Sequence, residues 1–191
     1  VTIKYSTDGT EEWVNRFNGA SNGNDLGYRI AVDTSGNVYA TGSSSSGSGQ
    51  DYDFATVKYN SSGDQQWVKV YDGPASGEDN PFAIAVDDVG NVYLAGESEG
   101  IGTFTDYATI KYNSAGDEKW IQTYNSPVGL SDLARSIAID DAGNLYVAGY
   151  TVINENDFDY TTIKYSSARK PVLIVPGIAG TYAANVGNDL A

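Results

Sequence analysis

The 191-residue chain contains no histidine, no cysteine and no methionine. Without histidine it holds neither a Ser-His-Asp nor a Cys-His catalytic arrangement, and no imidazole zinc site. Without cysteine it forms no disulfide and offers no thiolate ligand, so thiols say nothing of its redox compartment. The missing methionine, with a first repeat that opens mid-unit, reads as a piece of a longer protein whose signal peptide, if it has one, lies outside it. Basic residues are scarce as well: 11 Lys and Arg against 25 Asp and Glu leave a formal charge of −14. Nucleic acid requires a basic surface and is excluded as a partner, whereas cations, basic partners and plain solubility stay open. No apolar run approaches the ~18 to 20 residues of a membrane helix.

What is present is repetition. Thr2-Ile3-Lys4-Tyr5 returns as Thr56-Val57-Lys58-Tyr59, Thr109-Ile110-Lys111-Tyr112 and Thr162-Ile163-Lys164-Tyr165. Trp13, Trp67 and Trp120 keep the same beat, as do Gly36-Asn37, Gly90-Asn91 and Gly143-Asn144. A fixed period of this length means stacked supersecondary units, each burying a face against its neighbours. One period holds four strand-like runs: Arg29 to Val32, Val38 to Thr41, Phe54 to Tyr59 and Gln66 to Tyr71. Tight turns rich in Gly, Asn, Asp and Ser separate them, so they read as an antiparallel meander. Four strands per repeat predict an all-β chain of β-propeller blades. Ala31, Ala85 and Ala138 mark the first run as innermost, where blades converge. Trp13, Trp67 and Trp120, each with an aromatic four residues on (Phe17, Tyr71, Tyr124), share one face of the outer strand and cover the wide gap between blades.

The strings Ala-Val-Asp-Thr-Ser-Gly-Asn-Val-Tyr-Ala-Thr-Gly (31–42) and Asp-Tyr-Ala-Thr-Ile-Lys-Tyr-Asn-Ser-Ala-Gly-Asp (106–117) resemble the bacterial seven-bladed β-propeller repeat called SBBP. The resemblance covers residues 1 to about 166 and implies a secreted or cell-surface bacterial propeller with no fixed biochemical activity. Two strands, two whole blades and three more strands form an arc, not a ring, so the rest of a parent chain is needed to close the propeller.

The repeated polar residues have plain roles in this reading. Asp33, Asp87 and Asp140 precede the Gly-Asn turns and lack the alternating ligands and closing Glu of a calcium loop, so they are turn residues. Lys4, Lys58, Lys111 and Lys164 lay their stems on a neighbouring blade and pair with acids. The longer connections, 43–52, 97–106 and 150–159 together with 18–25, 72–79 and 125–132, emerge at one end and bring many of the acids to it. That face, with Asp51, Asp53, Asp106, Asp157 and Asp159 foremost, is the candidate surface for a cation or for a protein or glycan partner. Asp51 and Asp53, and likewise Asp157 and Asp159, stand two apart and face one side of an extended strand; calcium is the one cofactor this admits. Glycoside hydrolysis by two of these carboxylates ranks last, because exposed loop acids lack the required environment.

After Tyr165 the pattern breaks. Residues 1–168 read as the repeat domain and 169–191 as a linker and the first strand of a following domain. Val172-Leu173-Ile174-Val175 is continuously apolar, as a doubly covered parallel strand would be. Pro176-Gly177-Ile178-Ala179-Gly180-Thr181 resembles the oxyanion loop of lipase-type α/β-hydrolases, which places Ile178 and Ala179 near the oxyanion position. The chain has no Gly-x-Ser-x-Gly elbow, so this segment is not itself an enzyme, and the nucleophile of any such hydrolase lies beyond Ala191. The leading reading is a non-catalytic interaction or spacer module; the alternative is the accessory region of a secreted lipase or esterase.

Overall fold

The computed structural model describes residues 1–47, 51–127 and 130–166 in full and residues 171–174 as backbone. Every described element is a strand. Strands β1 (Thr2–Tyr5) and β2 (Glu11–Asn15) form a half-blade. The first whole blade comprises β3 (Asp25–Val32), β4 (Val38–Ser45), β5 (Tyr52–Tyr59) and β6 (Gln65–Tyr71). The second comprises β7 (Asp79–Val86), β8 (Val92–Glu99), β9 (Thr105–Tyr112) and β10 (Glu118–Tyr124). The third comprises β11 (Asp132–Ile139), β12 (Leu145–Asn154), β13 (Asp157–Tyr165) and β14 (Pro171–Ile174). Each sheet is an antiparallel meander in chain order, as short β-branched and aromatic runs joined by tight turns dictate. The architecture is an incomplete β-propeller, and the alanine-bearing first strands are innermost: β7 touches both β3 and β11.

The core lies between blades. Tyr39 and Phe54 of the first blade pack on Val92, Leu94 and Ile110 of the second. Tyr93 and Tyr107 repeat that contact against Leu145, Val147 and Ile163 of the third. The tryptophans span the outer gap as expected, Trp67 between Tyr39 and Tyr112 and Trp120 between Tyr93 and Tyr165. Trp67 also lies against Gly116 in the next blade's turn, where a Cβ would stand 2.9 Å from the ring and φ is +86°. The half-blade leaves its neighbour half covered. Tyr5 is 56% exposed where its equivalent Tyr59 is 1%. A cleft of about 430 Å³, lined by Ile3, Phe17, Ile30, Val57 and Tyr59 among others, separates β1 from β3.

Two expectations change. The connection 150–159 is largely strand, since β12 reaches Asn154 and only Glu155 and Asn156 join it to β13, and β4 runs on into the connection 43–52 as far as Ser45. Their serine, glycine and acidic residues have weak strand preference, and the ladder to the neighbouring strand overrides it. The lysines, for their part, do not generally pair with acids. Lys58, Lys111 and Lys164 lie over the rings of Tyr39, Tyr93 and Tyr146. Lys58 also donates to the Ser114 carbonyl of the next blade. Only Lys4, whose half-blade offers no such tyrosine, meets Glu12, at 2.7 Å. The 171–174 run, assigned from sequence to a following domain, pairs with β13 in the outer position that the tryptophan strands hold elsewhere.

Candidate functional site

The Asp-Gly-Asn turns account for one set of repeated acids. Asp33 Oδ1 accepts from the Ser35 and Asn37 backbone N–H groups, and Oδ2 from the Asn37 amide and the Tyr39 hydroxyl. Asp87 with Tyr93, and Asp140 with Tyr146, repeat this set. Burial raises the Asp33 carboxyl, but the bonds from Asn37, Tyr39 and Ser35 outweigh it and hold the group below its usual range. These are turn residues, saturated with donors, and none has capacity to spare for a ligand.

The other acids lie at the opposite end of the blades. Asp25, Asp79 and Asp132 each open the innermost strand and accept the backbone N–H of Gly19, Gly73 and Ser126 respectively, tying down the connection from the preceding blade. Asp53 stands near the start of β5 and Asp106 near the start of β9, each directed at the next blade. Asp53, Asp72 and Asp79 thereby converge: one carboxylate oxygen from each lies within 4.8 Å of the others. Asp79 is 0% and Asp53 7% exposed, whereas Asp72 faces solvent. Burial, then repulsion from Asp72, Asp79 and Asp51, pushes the Asp53 carboxyl up to about 6. Burial also raises Asp79, partly offset by the Ser98 hydroxyl and the Gly73 N–H.

The five acids singled out from sequence are therefore not one surface. Asp53 is in the cluster, but its close partners are Asp72 and Asp79; Asp51 precedes β5 and stays exposed. Asp106 is buried, accepts a bond of 3.0 Å from the Thr103 hydroxyl, and is raised by burial with Asp132 adding repulsion. Asp157 is exposed and Asp159 half-buried on β13; among the described residues no third acid joins them. Ile178 and Ala179 lie outside the described residues.

A second feature, midway along the innermost strands, was not foreseen. Each innermost strand carries a bulge between Gly27 and Arg29, between Pro81 and Ala83, and between Ala134 and Ser136. The extra residues are Tyr28, Phe82 and Arg135. The first two rings stack with centroids 5.9 Å apart, and the Arg135 guanidinium lies 4.2 Å over Phe82. Arg135 also reaches Glu97 at 3.6 Å and the Tyr150 hydroxyl at 3.3 Å. Bulges re-aim side chains out of a ladder, and here they build a ladder of their own across three blades. The period reveals these positions, yet the residue types differ, so the repeat pattern hides them.

The arrangement combines a stack of blades, bridged by tryptophans at the tight-turn end, with buried acids at the other and a mixed aromatic–guanidinium ladder midway along the innermost strands. No curated protein matches the chain. The model of the SBBP beta-propeller repeat matches residues 12–49, 73–102 and 130–159, just over half of it. With three of its repeats accounted for and the blades built as that repeat requires, the chain belongs to the SBBP β-propeller repeat family.

Proposed function

We propose that the chain is a non-catalytic interaction module of a secreted or cell-surface bacterial protein, with further repeats of the parent chain closing the propeller. The observation that carries this reading is the contrast between the tight-turn end of the blades and the bulges of the innermost strands. At the tight-turn end the same residues recur: the Lys–Tyr pairs and Asp-centred turns within each blade, and the tryptophans between blades. Midway along the innermost strands the equivalent bulge positions hold Tyr28, Phe82 and Arg135, which differ in chemistry though they share a backbone geometry. Tyr and Arg on a rigid scaffold are favoured anchors of protein interfaces, and stacked aromatic rings equally suit a sugar face. A protein or glycan partner is therefore expected along this ladder, and a pure spacer would bind neither.

The test is a comparison of the chain with its Tyr28→Ala/Phe82→Ala variant on glycan arrays and against secreted-protein fractions. Binding to one class that the variant loses, with both proteins equally folded by circular dichroism, supports the reading. Binding that survives the double substitution, or hydrolysis of ester or glycoside substrates by the chain itself, contradicts it. The second reading, an accessory region of a secreted lipase or esterase, is favoured only by the Val172 to Thr181 string. A chain extended beyond Ala191 should then show esterase activity that a serine-directed inhibitor abolishes.

A further inference from the structure

We propose that Asp53, Asp72 and Asp79 form a binding site for one calcium-sized divalent cation that staples the first blade to the second. The three carboxylates come from three different places in the repeat. Asp53 belongs to β5 of the first blade, Asp72 to the connection leaving β6, and Asp79 to the first residue of β7 in the second blade. Their convergence within 4.8 Å brings three negative charges together. Asp79 has its own structural bond from the Gly73 N–H, and Asp72 is wet. Asp79 Oδ1, however, is buried without a partner among the described residues, and Asp53 has no hydrogen bond of any kind. It is 93% buried, aimed into the cluster, and among the described residues no hydrogen bond or ion pair reaches its carboxylate.

A buried carboxylate with acids for neighbours and no donor is costly to keep unless a cation neutralises it. All the ligand atoms are hard oxygens, and the chain has no histidine or cysteine to favour a softer metal. Carboxylates brought within 4.8 Å of one another can share a calcium ion, whose flexible coordination tolerates an irregular set better than the near-ideal octahedron of magnesium does. Three carboxylates supply three of its usual six to eight oxygens, and the open side at Asp72 admits water for the remainder.

The next blade junction provides an internal contrast. There Asp106 and Asp132 occupy the places of Asp53 and Asp79, but Asn125 replaces Asp72, and Thr103 already donates to Asp106. That junction has one charge fewer, and one oxygen of Asp106 is already bonded within the protein, so a single strong site per chain is expected.

Titration calorimetry on the chelator-treated full chain, with calcium chloride as the probe, tests the proposal. One calcium per chain is expected, with magnesium weaker. Asp53→Asn and Asp72→Asn should each weaken calcium by at least about tenfold, because affinity in such sites follows ligand charge. Asp72 is exposed, so its variant folds whatever happens at Asp53. Asp51→Asn, outside the cluster, should bind as the parent does. The melting temperature should rise with calcium in the parent and not in Asp72→Asn. Absence of binding heat in the parent, or equal binding by Asp72→Asn, overturns the proposal.

Discussion

Gly96 tests how closely a single residue is specified. A Cβ there would stand 2.1 Å from the Asn80 carbonyl oxygen and 2.7 Å from the Phe54 ring, because the bulge of β7 presses its backbone onto β8. Backbone cannot give way as a flexible side chain can, so Gly96→Ala should cost about 3 kcal/mol, the upper part of the overpacking range. Gly27, in the open stretch of β3, has nothing within 4 Å of its Cβ position. Gly27→Ala should therefore change stability by less than about 0.5 kcal/mol. Urea unfolding of the two variants compares them directly, and equal losses would mean that the bulge contact is soft. Residues of this kind were legible where the same residue does the same job in every blade. Asp33, Asp87 and Asp140 were read as turn acids because spacing to Gly and Asn states the geometry. Their bond from a tyrosine two residues after the turn asparagine was legible only as a recurrence, since nothing in the spacing says where a phenol points.

At the scale of elements, the outer strands differ in how much of their own blade stands beside them. Trp67 and Trp120 each lie between two tyrosine rings, whereas Trp13 has one, Tyr59, because the half-blade has no inner strands to supply the second. These rings are half-buried, so Trp67→Leu and Trp120→Leu should each cost about 2 kcal/mol, roughly half the penalty of deleting a fully buried aromatic. Trp13→Leu should cost about 1 kcal/mol, since it loses one ring contact of the same kind. Denaturation midpoints with unchanged slopes would show this order; a Trp13 loss as large as the others would mean that the half-blade is as tightly held as a whole one. Strand existence and order were readable from the period. Strand ends were not, because Ser43 to Ser45 and Glu97 to Glu99 are extended by pairing with β5 and β9 and not by their own preference. The acid cluster stayed hidden for a related reason. It draws Asp53 and Asp79 from different blades, and its third member is not repeated, so same-strand spacing pointed to Asp51 instead.

For the molecule as a whole, the two ends of the blades respond to pH in opposite directions. Asp53, Asp79, Glu97, Asp106 and Asp132 are all raised, with burial the first cause in each. A raised carboxyl binds its proton more tightly in the folded chain than in the unfolded one. Its contribution is fully present below the ordinary carboxyl value and is lost as pH climbs through the folded value, about 6 for Asp53. The turn acids run the other way. Asp140 is held down by the Asn144 side chain and backbone, and Asp33 by bonds that outweigh its burial, so their contribution is lost as pH falls below the ordinary range. In chelator the melting temperature should therefore rise between pH 7.5 and about 5, then fall at lower pH as the turns protonate. A charge of −14 adds to the first limb, because acidification relieves self-repulsion in the folded chain. Saturating calcium should lift the neutral end of this curve and flatten it, since an ion at Asp53 does the work that a proton does near pH 5. Asp53→Asn removes the group that takes either, so its curve should be flatter in chelator and the same with calcium. A parent curve that falls steadily on acidification in chelator would show that the buried acids are already compensated at neutral pH, and one that ignores calcium at pH 7.5 would leave protonation as their only relief.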